Sequence, residues 1–198
     1  MRNVTRLLLI SSVSALLSVG CFSDDDDQPE ATEEPTVTAE PTSTATFVPG
    51  GESGAFLVRT DAWDVGGAIP VQYTCDGDNL IPPLSFVDIP DGAETLALIV
   101  NDPSAGDGGF VHWAVWNLPL DDIEEGQVPA GAVEGQNGSG ENGYTGPCPP
   151  AQHTYFFYAY ALDRALDLPA GSTIDDLEDE IEDHALAQSE YIGTYERP

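Results

Sequence analysis

Two of the three histidines in this sequence lie in settings that could do chemistry. His112 stands in Phe110-Val111-His112-Trp113, just after Asp102-Pro103-Ser104-Ala105-Gly106. His153 follows Gly146-Pro147-Cys148-Pro149-Pro150-Ala151-Gln152 and leads into Thr154-Tyr155. A carboxylate and two imidazoles brought together can hold a proton, bind an oxyanion or ligate a metal. The spacing matches no metal-ligand motif, and no Gly-x-Ser-x-Gly signature supports a hydrolase. A Cys148 thiol acting with His153 is the remaining nucleophilic alternative. No catalytic residue, metal or cofactor is therefore assigned. Gly135, Gly138, Gly140 and Gly143 precede the second setting, and such a loop can turn backbone N–H groups toward an anion. The third histidine, His184, falls in an acidic stretch and reads as a solvated surface residue.

These groups must be positioned by strands. Ala55-Phe56-Leu57-Val58-Arg59, Thr95 to Val100, Phe110 to Leu118 and His153 to Leu162 are apolar, aromatic or β-branched runs. In the last, Tyr155, Phe157, Ala159 and Ala161 share one face, and Phe156, Tyr158, Tyr160 and Leu162 share the other. Both faces are apolar, which predicts a central strand covered on both sides. Asp102 ends one run, while His112 and His153 open two others, so the chemistry falls at strand ends. One helix is expected after Thr173, a capping residue followed by Asp175, Asp176 and Glu178 at the positive helix end. Ile174, Leu177, Ile181 and Ala185 follow at helical spacing. Many strands with a late helix predict a mainly β domain.

The charge balance removes some partners. The 198 residues carry 35 carboxylates against five arginines and no lysine, a net −30. Nucleic acid is excluded, because its phosphates need basic surface to displace counterions. A polybasic membrane patch is excluded for the same reason. Residues 1–20 read as a signal peptide: Arg2 and Arg6 precede the apolar run Leu7 to Val19, which is short for a membrane span. Leu17-Ser18-Val19-Gly20-Cys21 is similar to a lipobox, which makes Cys21 the expected lipidation site and mature N-terminus. A plain secretory signal is the alternative. Residues 21–53 begin with Asp24 to Asp27 and continue in Thr, Pro, Glu, Ala and Ser, the composition of a disordered tether. Residues 54–198 form the domain, with 26 carboxylates against Arg59, Arg164 and Arg197, a net −23. The expected location is the outer face of a membrane, reached through the N-terminal lipid. Export permits a Cys75–Cys148 disulfide, with two free thiols as the alternative.

The domain also carries an ordered series of short motifs. They run Ile69-Pro70, Tyr73-Thr74-Cys75-Asp76-Gly77, Pro82-Pro83-Leu84, Asp102-Pro103, His112-Trp113, Asn117 and Pro119. Asn137, Gly143-Tyr144-Thr145-Gly146-Pro147-Cys148-Pro149-Pro150, His153 and Gly193-Thr194-Tyr195 complete it. This series resembles the phosphatidylethanolamine-binding proteins, in their bacterial and archaeal Raf-kinase-inhibitor-like branch, over residues of about 55 to 197. The resemblance implies a sandwich of two antiparallel sheets with Greek-key topology and a few small helices. It also implies a pocket for phosphate, acetate or a phosphorylated headgroup. The implied ligand-binding positions are Asp102, Pro103, Phe110, His112, Gly146, Pro147, His153 and Tyr155. Ser104 stands where the family often has a second Asp, Gly106 replaces a usual Pro, and Thr154 replaces a usual Arg. The last change removes a cation from beside the histidine.

In a domain this acidic, anion binding has to come from local groups. Asp102 is expected to hold one imidazole and favour its protonated form, which would donate to the oxyanion with the other histidine, Tyr155 and backbone N–H groups. The expected function is non-catalytic binding of a small anion or phosphorylated headgroup. The alternatives are a protein-interaction module of the hydrolase- or kinase-pathway-inhibitor kind, its partner unspecified, and a weak hydrolase.

Overall fold

The structure is a computed structural model and describes residues 54–198 except Asp107. The signal peptide, Cys21 and the tether lie outside the described residues. The elements are β1 (Leu57–Arg59), β2 (Ser85–Val87), β3 (Thr95–Asp102), β4 (Phe110–Leu118), β5 (Val133–Glu134), β6 (His153–Leu162), α1 (Ile174–His184) and β7 (Ala185–Tyr195). One sheet has the order β5-β4-β3-β6-β7, and a second pairs β1 with β2; all these pairings are antiparallel. β3, β4 and β5 are successive neighbours, and the chain then returns to lay β6 beside β3, which is a Greek key.

β6 is an interior strand, between the middle strand β3 and the edge strand β7. Its Tyr155 face is buried, while Phe156, Tyr158 and Tyr160 on the other face are half-buried, so the cover expected on both sides is complete on one only. On one face Tyr155, Phe157, Ala159 and Ala161 join Leu98, Val100, Trp113 and Val115 beneath the small sheet. Because that sheet has only two strands, Trp63, Ile69, Tyr73 and Ile81 from the irregular stretch between them complete the cover. On the other face Ala97, Ile99, Ala114, Trp116 and Leu162 pack against Leu177 and Ile181 of α1. Fully burying one such aliphatic or aromatic side chain contributes about 1.5–3 kcal/mol. The two cores together therefore fix the sheet from both sides.

α1 begins where its cap predicts. Thr173 Oγ1 accepts from Asp176 N, and the Asp176 carboxylate accepts from Thr173 N, closing a capping box. Its end differs from the expected pattern. Ala185 is exposed and is already the first residue of β7, so the apolar face of the helix ends at Ile181. The strand β7 follows without a loop, and its weak alternation of small and polar residues gave no strand signal. Its partner β6 supplies the pairing that its own composition does not.

One irregularity decides where the site lies. Along the β3–β4 ladder Val100 faces Trp113 and Asn101 faces Val111, so His112 is an extra residue on β4, a bulge. In an unbroken strand His112 would share a face with Ala114 and Trp116, toward α1. The bulge turns it to the opposite face, where its ring meets Tyr155 edge-on with centroids 5.2 Å apart. Asp102, Phe110, His112, His153 and Tyr155 thus emerge on one face at one end of the large sheet.

Candidate functional site

These five side chains open on a cavity of about 450 Å³. The rest of its wall is Ser104, Ala105, Gly106, Ser139, Thr145, Gly146, Cys148, Pro149 and Pro150. Among the described residues, no lysine or arginine lines it.

Asp102 is the organising group on the β3 side, and it is 2% exposed. Its Oδ2 lies 2.6 Å from His153 Nδ1. Its Oδ1 accepts from Ser104 Oγ at 2.6 Å and from Ser104 N at 2.9 Å. Burial on its own would raise the Asp102 pKa, but the Ser104 and His153 hydrogen bonds outweigh it and hold the group below the ordinary carboxylate range. Asp102 is therefore ionised at neutral pH, and His153 Nδ1 carries the hydrogen between them. Ser104 is thus more than a departure from the family pattern, since it supplies two of the donors that keep the carboxylate charged.

His112 is held differently. Its Nδ1 lies 2.7 Å from the Thr145 carbonyl oxygen, while Thr145 N donates back to the His112 carbonyl at 2.8 Å. A carbonyl oxygen can only accept, so Nδ1 carries the hydrogen. Burial pushes the His112 pKa below its ordinary value, against the smaller upward pull of the Thr145 carbonyl and Asp102. Phe110 packs on the ring with centroids 4.7 Å apart. Tyr155 stays a protonated phenol, because burial and then the Asp102 charge push its pKa well up.

The glycine-rich segment is not the amide cradle expected of it. Gly135 N donates to Ala114 O, Gly138 N to Val111 O, Gly140 N to Asn137 O and Gly143 N to Gly135 O. Those hydrogen bonds build the segment itself. Asn137, 7% exposed, ties it together through Gly143 O, Ser139 N and Glu141 N. At Gly138 the absence of a side chain is what matters, since a Cβ there would come within 2.6 Å of the Phe110 ring. Gly146 is wedged in the same way. Its N–H donates to Asn79 Oδ1 at 2.6 Å, and a Cβ would meet Tyr73 O at 2.5 Å. The donors available to a ligand are therefore side chains more than loop amides.

Two expected positions fall outside the cavity wall. Pro103 is exposed, turned outward by the tight turn that Ser104 closes on Asp102. Pro147 is buried, and its carbonyl accepts from Cys75 N at 3.1 Å. Cys75 and Cys148 form a disulfide, with Cα atoms 5.4 Å apart. Cys148 is thus no thiol nucleophile for His153. His184 lies off the site and pairs with Asp163 at 3.1 Å. The Thr145 carbonyl was the functional group that sequence reading missed. Its residue lies within a quoted motif, but nothing in a threonine's type announces that its backbone orients a histidine.

Comparison with known proteins agrees with this architecture. The family model for phosphatidylethanolamine-binding protein matches residues 59–196. A UPF0098 protein of Methanothermobacter thermautotrophicus is 45% identical over 148 residues, covering 71% of this chain and 98% of that protein. A Mycobacterium tuberculosis protein named "Putative lipoprotein LppC" is 43% identical over 136 residues, covering 66% of this chain and 67% of its own. Among solved structures, the homologue CT736 from Chlamydia trachomatis superposes with a TM-score of 0.70 at 42% identity, over 74% of this chain and 100% of that one. Escherichia coli YbcL gives 0.68 at 26% identity, over 72% and 99%. This chain belongs to the phosphatidylethanolamine-binding protein family.

Proposed function

We propose that the domain is a non-catalytic binder of a small oxyanion, phosphate or a phosphorylated headgroup, carried on the outer face of a membrane by a lipid on Cys21. The observation that carries this reading is the ionised Asp102 holding His153 Nδ1 at 2.6 Å at the wall of an open cavity. His153 Nε2, the ring nitrogen that Asp102 does not hold, is the atom offered to a ligand, and Tyr155 lines the same cavity. Binding is preferred to turnover because Cys148, bonded to Cys75, is no thiol, and among the described residues no serine hydroxyl is hydrogen-bonded to a histidine. Export and lipidation are supported by the Leu17 to Cys21 sequence and by the name of the mycobacterial relative. Among the described residues no helix is long and apolar enough to cross a membrane.

The test is thermal unfolding with increasing phosphate near pH 6. A ligand at 100 times its dissociation constant stabilises the protein by about 2.7 kcal/mol. The stabilisation should be lost in His153→Ala and Asp102→Ala. Phosphate that shifts neither wild type nor variants would rule the pocket out. For the anchor, Cys21→Ala should release the protein from membranes; unchanged membrane retention would refute it.

A further inference from the structure

The disulfide lies at the surface and not within the cores. Cys75 and Cys148 are both exposed, and neither belongs to the apolar cluster on either face of the large sheet. In small exported domains a disulfide commonly stands in for a core too small to hold the fold. Here Trp113, Trp116, Tyr155 and Phe157 are almost fully buried in cores the bond does not touch. It joins two irregular segments instead, the turn around Cys75 and the cavity rim around Cys148. Each segment is also seated elsewhere. In the turn, the Asp76 carboxylate accepts from Arg197 Nε and Nη2 and from the Tyr195 hydroxyl, and the Tyr73 hydroxyl donates to Glu125. In the rim, Thr145 is tied to His112 through both its N–H and its carbonyl.

Beyond Thr145 the rim is poorly fastened. Pro147, Pro149 and Pro150 have no N–H, so residues 147–150 can donate a backbone hydrogen bond only through Cys148. Two backbone groups of the rim reach the turn: Pro147 O accepts from Cys75 N at 3.1 Å, and Gly146 N donates to Asn79 Oδ1 at 2.6 Å. Cys148, Pro149 and Pro150 line the cavity, so the covalent bond is the main tie of that wall. A thiolate can reach an exposed disulfide directly, and exposed bonds are the more readily reduced. We propose that Cys75–Cys148 is a thiol–disulfide exchange site for a dithiol reductant, and that opening it releases the wall at 148–150 while the large sheet stays folded. One thiolate of the reductant attacks one sulfur, breaking the S–S bond and expelling the other cysteine as a thiolate, which takes up a proton. The second thiolate of the reductant attacks the mixed disulfide and frees the first cysteine. Two electrons pass to Cys75 and Cys148, and the reductant leaves as a disulfide. Oxidation fixes this wall of the cavity, and reduction frees it.

The experiment treats the oxidised full chain with dithiothreitol and traps the Cys75 and Cys148 thiols by alkylation, read by peptide mass. The rate in native buffer should lie within about tenfold of the rate for the chain unfolded in urea, and it should stay constant at urea concentrations below the unfolding transition. A bond reached only through global unfolding would react more slowly by a factor of about 10³ or more. Its rate would climb with urea in parallel with unfolding, and that behaviour would overturn the proposal. Amide hydrogen exchange of the reduced chain reads the consequence. The Cys75 and Gly146 amides should lose at least about tenfold of their protection, while those of Ile99, Val100 and Phe157 in the large sheet keep theirs. Protection lost throughout the sheet would make the bond a structural one. Unchanged Cys75 and Gly146 amides would mean that the wall stays in place. Either result refutes the proposal. Neither readout uses a ligand, so failure of the oxidised chain to bind phosphate would sink the anion reading alone.

Discussion

The two walls of the cavity hold the same side chain in opposite ways. On the β3 and β6 side, a carboxylate grips His153, and both groups stand on paired strands of the large sheet. On the β4 side, a backbone carbonyl grips His112, and that carbonyl belongs to an irregular segment held by Asn137, Asn79 and a disulfide. A carboxylate can balance an imidazolium; a carbonyl only orients the ring. Residue type alone therefore does not assign the role of a histidine. One wall is built for charge and the other for direction, and the second depends on many small fastenings instead of a ladder.

The largest test of that difference removes the disulfide. Cys148 belongs to the directing wall and its partner Cys75 to the turn beneath it, 73 residues apart in sequence. Closing a loop of that length contributes about 4 kcal/mol on the chain-entropy estimate. Reduction, or Cys75→Ser with Cys148→Ser, should lower the unfolding free energy by about that amount in denaturant titrations. At temperatures where the fold survives, phosphate affinity should fall by less than it does in Asp102→Ala, because the Asp102–His153 contact is intact. An equal fall would show that the two walls are not independent.

Next in size is Asp102→Ala. It leaves the Nδ1 hydrogen of His153 and both Ser104 donors without their acceptor at the partly buried wall of the cavity. Removing one partner of such buried hydrogen bonds costs about 1–3 kcal/mol, more where a charge is involved. Phosphate affinity should fall by at least about tenfold, because the carboxylate that holds and orients the His153 ring is gone. Asp102→Asn, which can still orient His153 but not balance its charge, should retain most of the stability and lose the affinity. An Asn variant that binds normally would move the charge-compensating role away from Asp102.

A smaller effect separates the histidines by pH. Because burial depresses the His112 pKa in the folded chain, its neutral form contributes stability that is complete above the ordinary value of 6.5. That stability is lost progressively as pH falls from 6.5 toward the folded value. Its slope cannot exceed about 1.4 kcal/mol per pH unit, the limit for one proton. Denaturant titrations between about pH 7 and 5 should show this slope in the wild type and a shallower one in His112→Asn. An unchanged slope would assign it to another group.

Much of this could be read in the sequence, for identifiable reasons. The four apolar runs became β1, β3, β4 and β6, because an apolar, β-branched or aromatic run is a local property of the chain. Thr173 and the acidic first turn placed the helix start, since capping is also local. His112 and His153 were visible from the rarity of histidine, and Asp102 from its place at a strand end just before Pro103. What escaped is non-local. β7 is a strand because β6 pairs with it, and β5 is two residues drawn onto the edge of β4. The bulge that turns His112 toward Tyr155 is a register event between strands, and simple alternation points that ring the wrong way. The glycine-rich segment misled for the opposite reason. Its composition suggests amides directed at a ligand, but its amides close on its own backbone and on the neighbouring strand.

The smallest effect is the most selective. Ser104 Oγ donates to Asp102 at 2.6 Å and is, with the Ser104 amide, what most offsets the cost of burying that carboxylate. Asp102 therefore contributes stability that is fully present above its ordinary pKa of 3.8 and lost as pH falls through its lower folded value. Ser104→Ala removes the hydroxyl bond and keeps the amide bond. The folded pKa should then rise toward 3.8, and the stability at neutral pH should fall by about 1 kcal/mol or less, the usual range for one partly exposed hydrogen bond. Acid unfolding should accordingly begin from a lower plateau, with a shallower final limb below about pH 4. The His112 slope between about pH 7 and 5 belongs to the other wall and should be unchanged. A Ser104 variant that altered both limbs together would show that one hydrogen-bond network spans the cavity, and that the charge-holding and direction-giving walls act as a single unit.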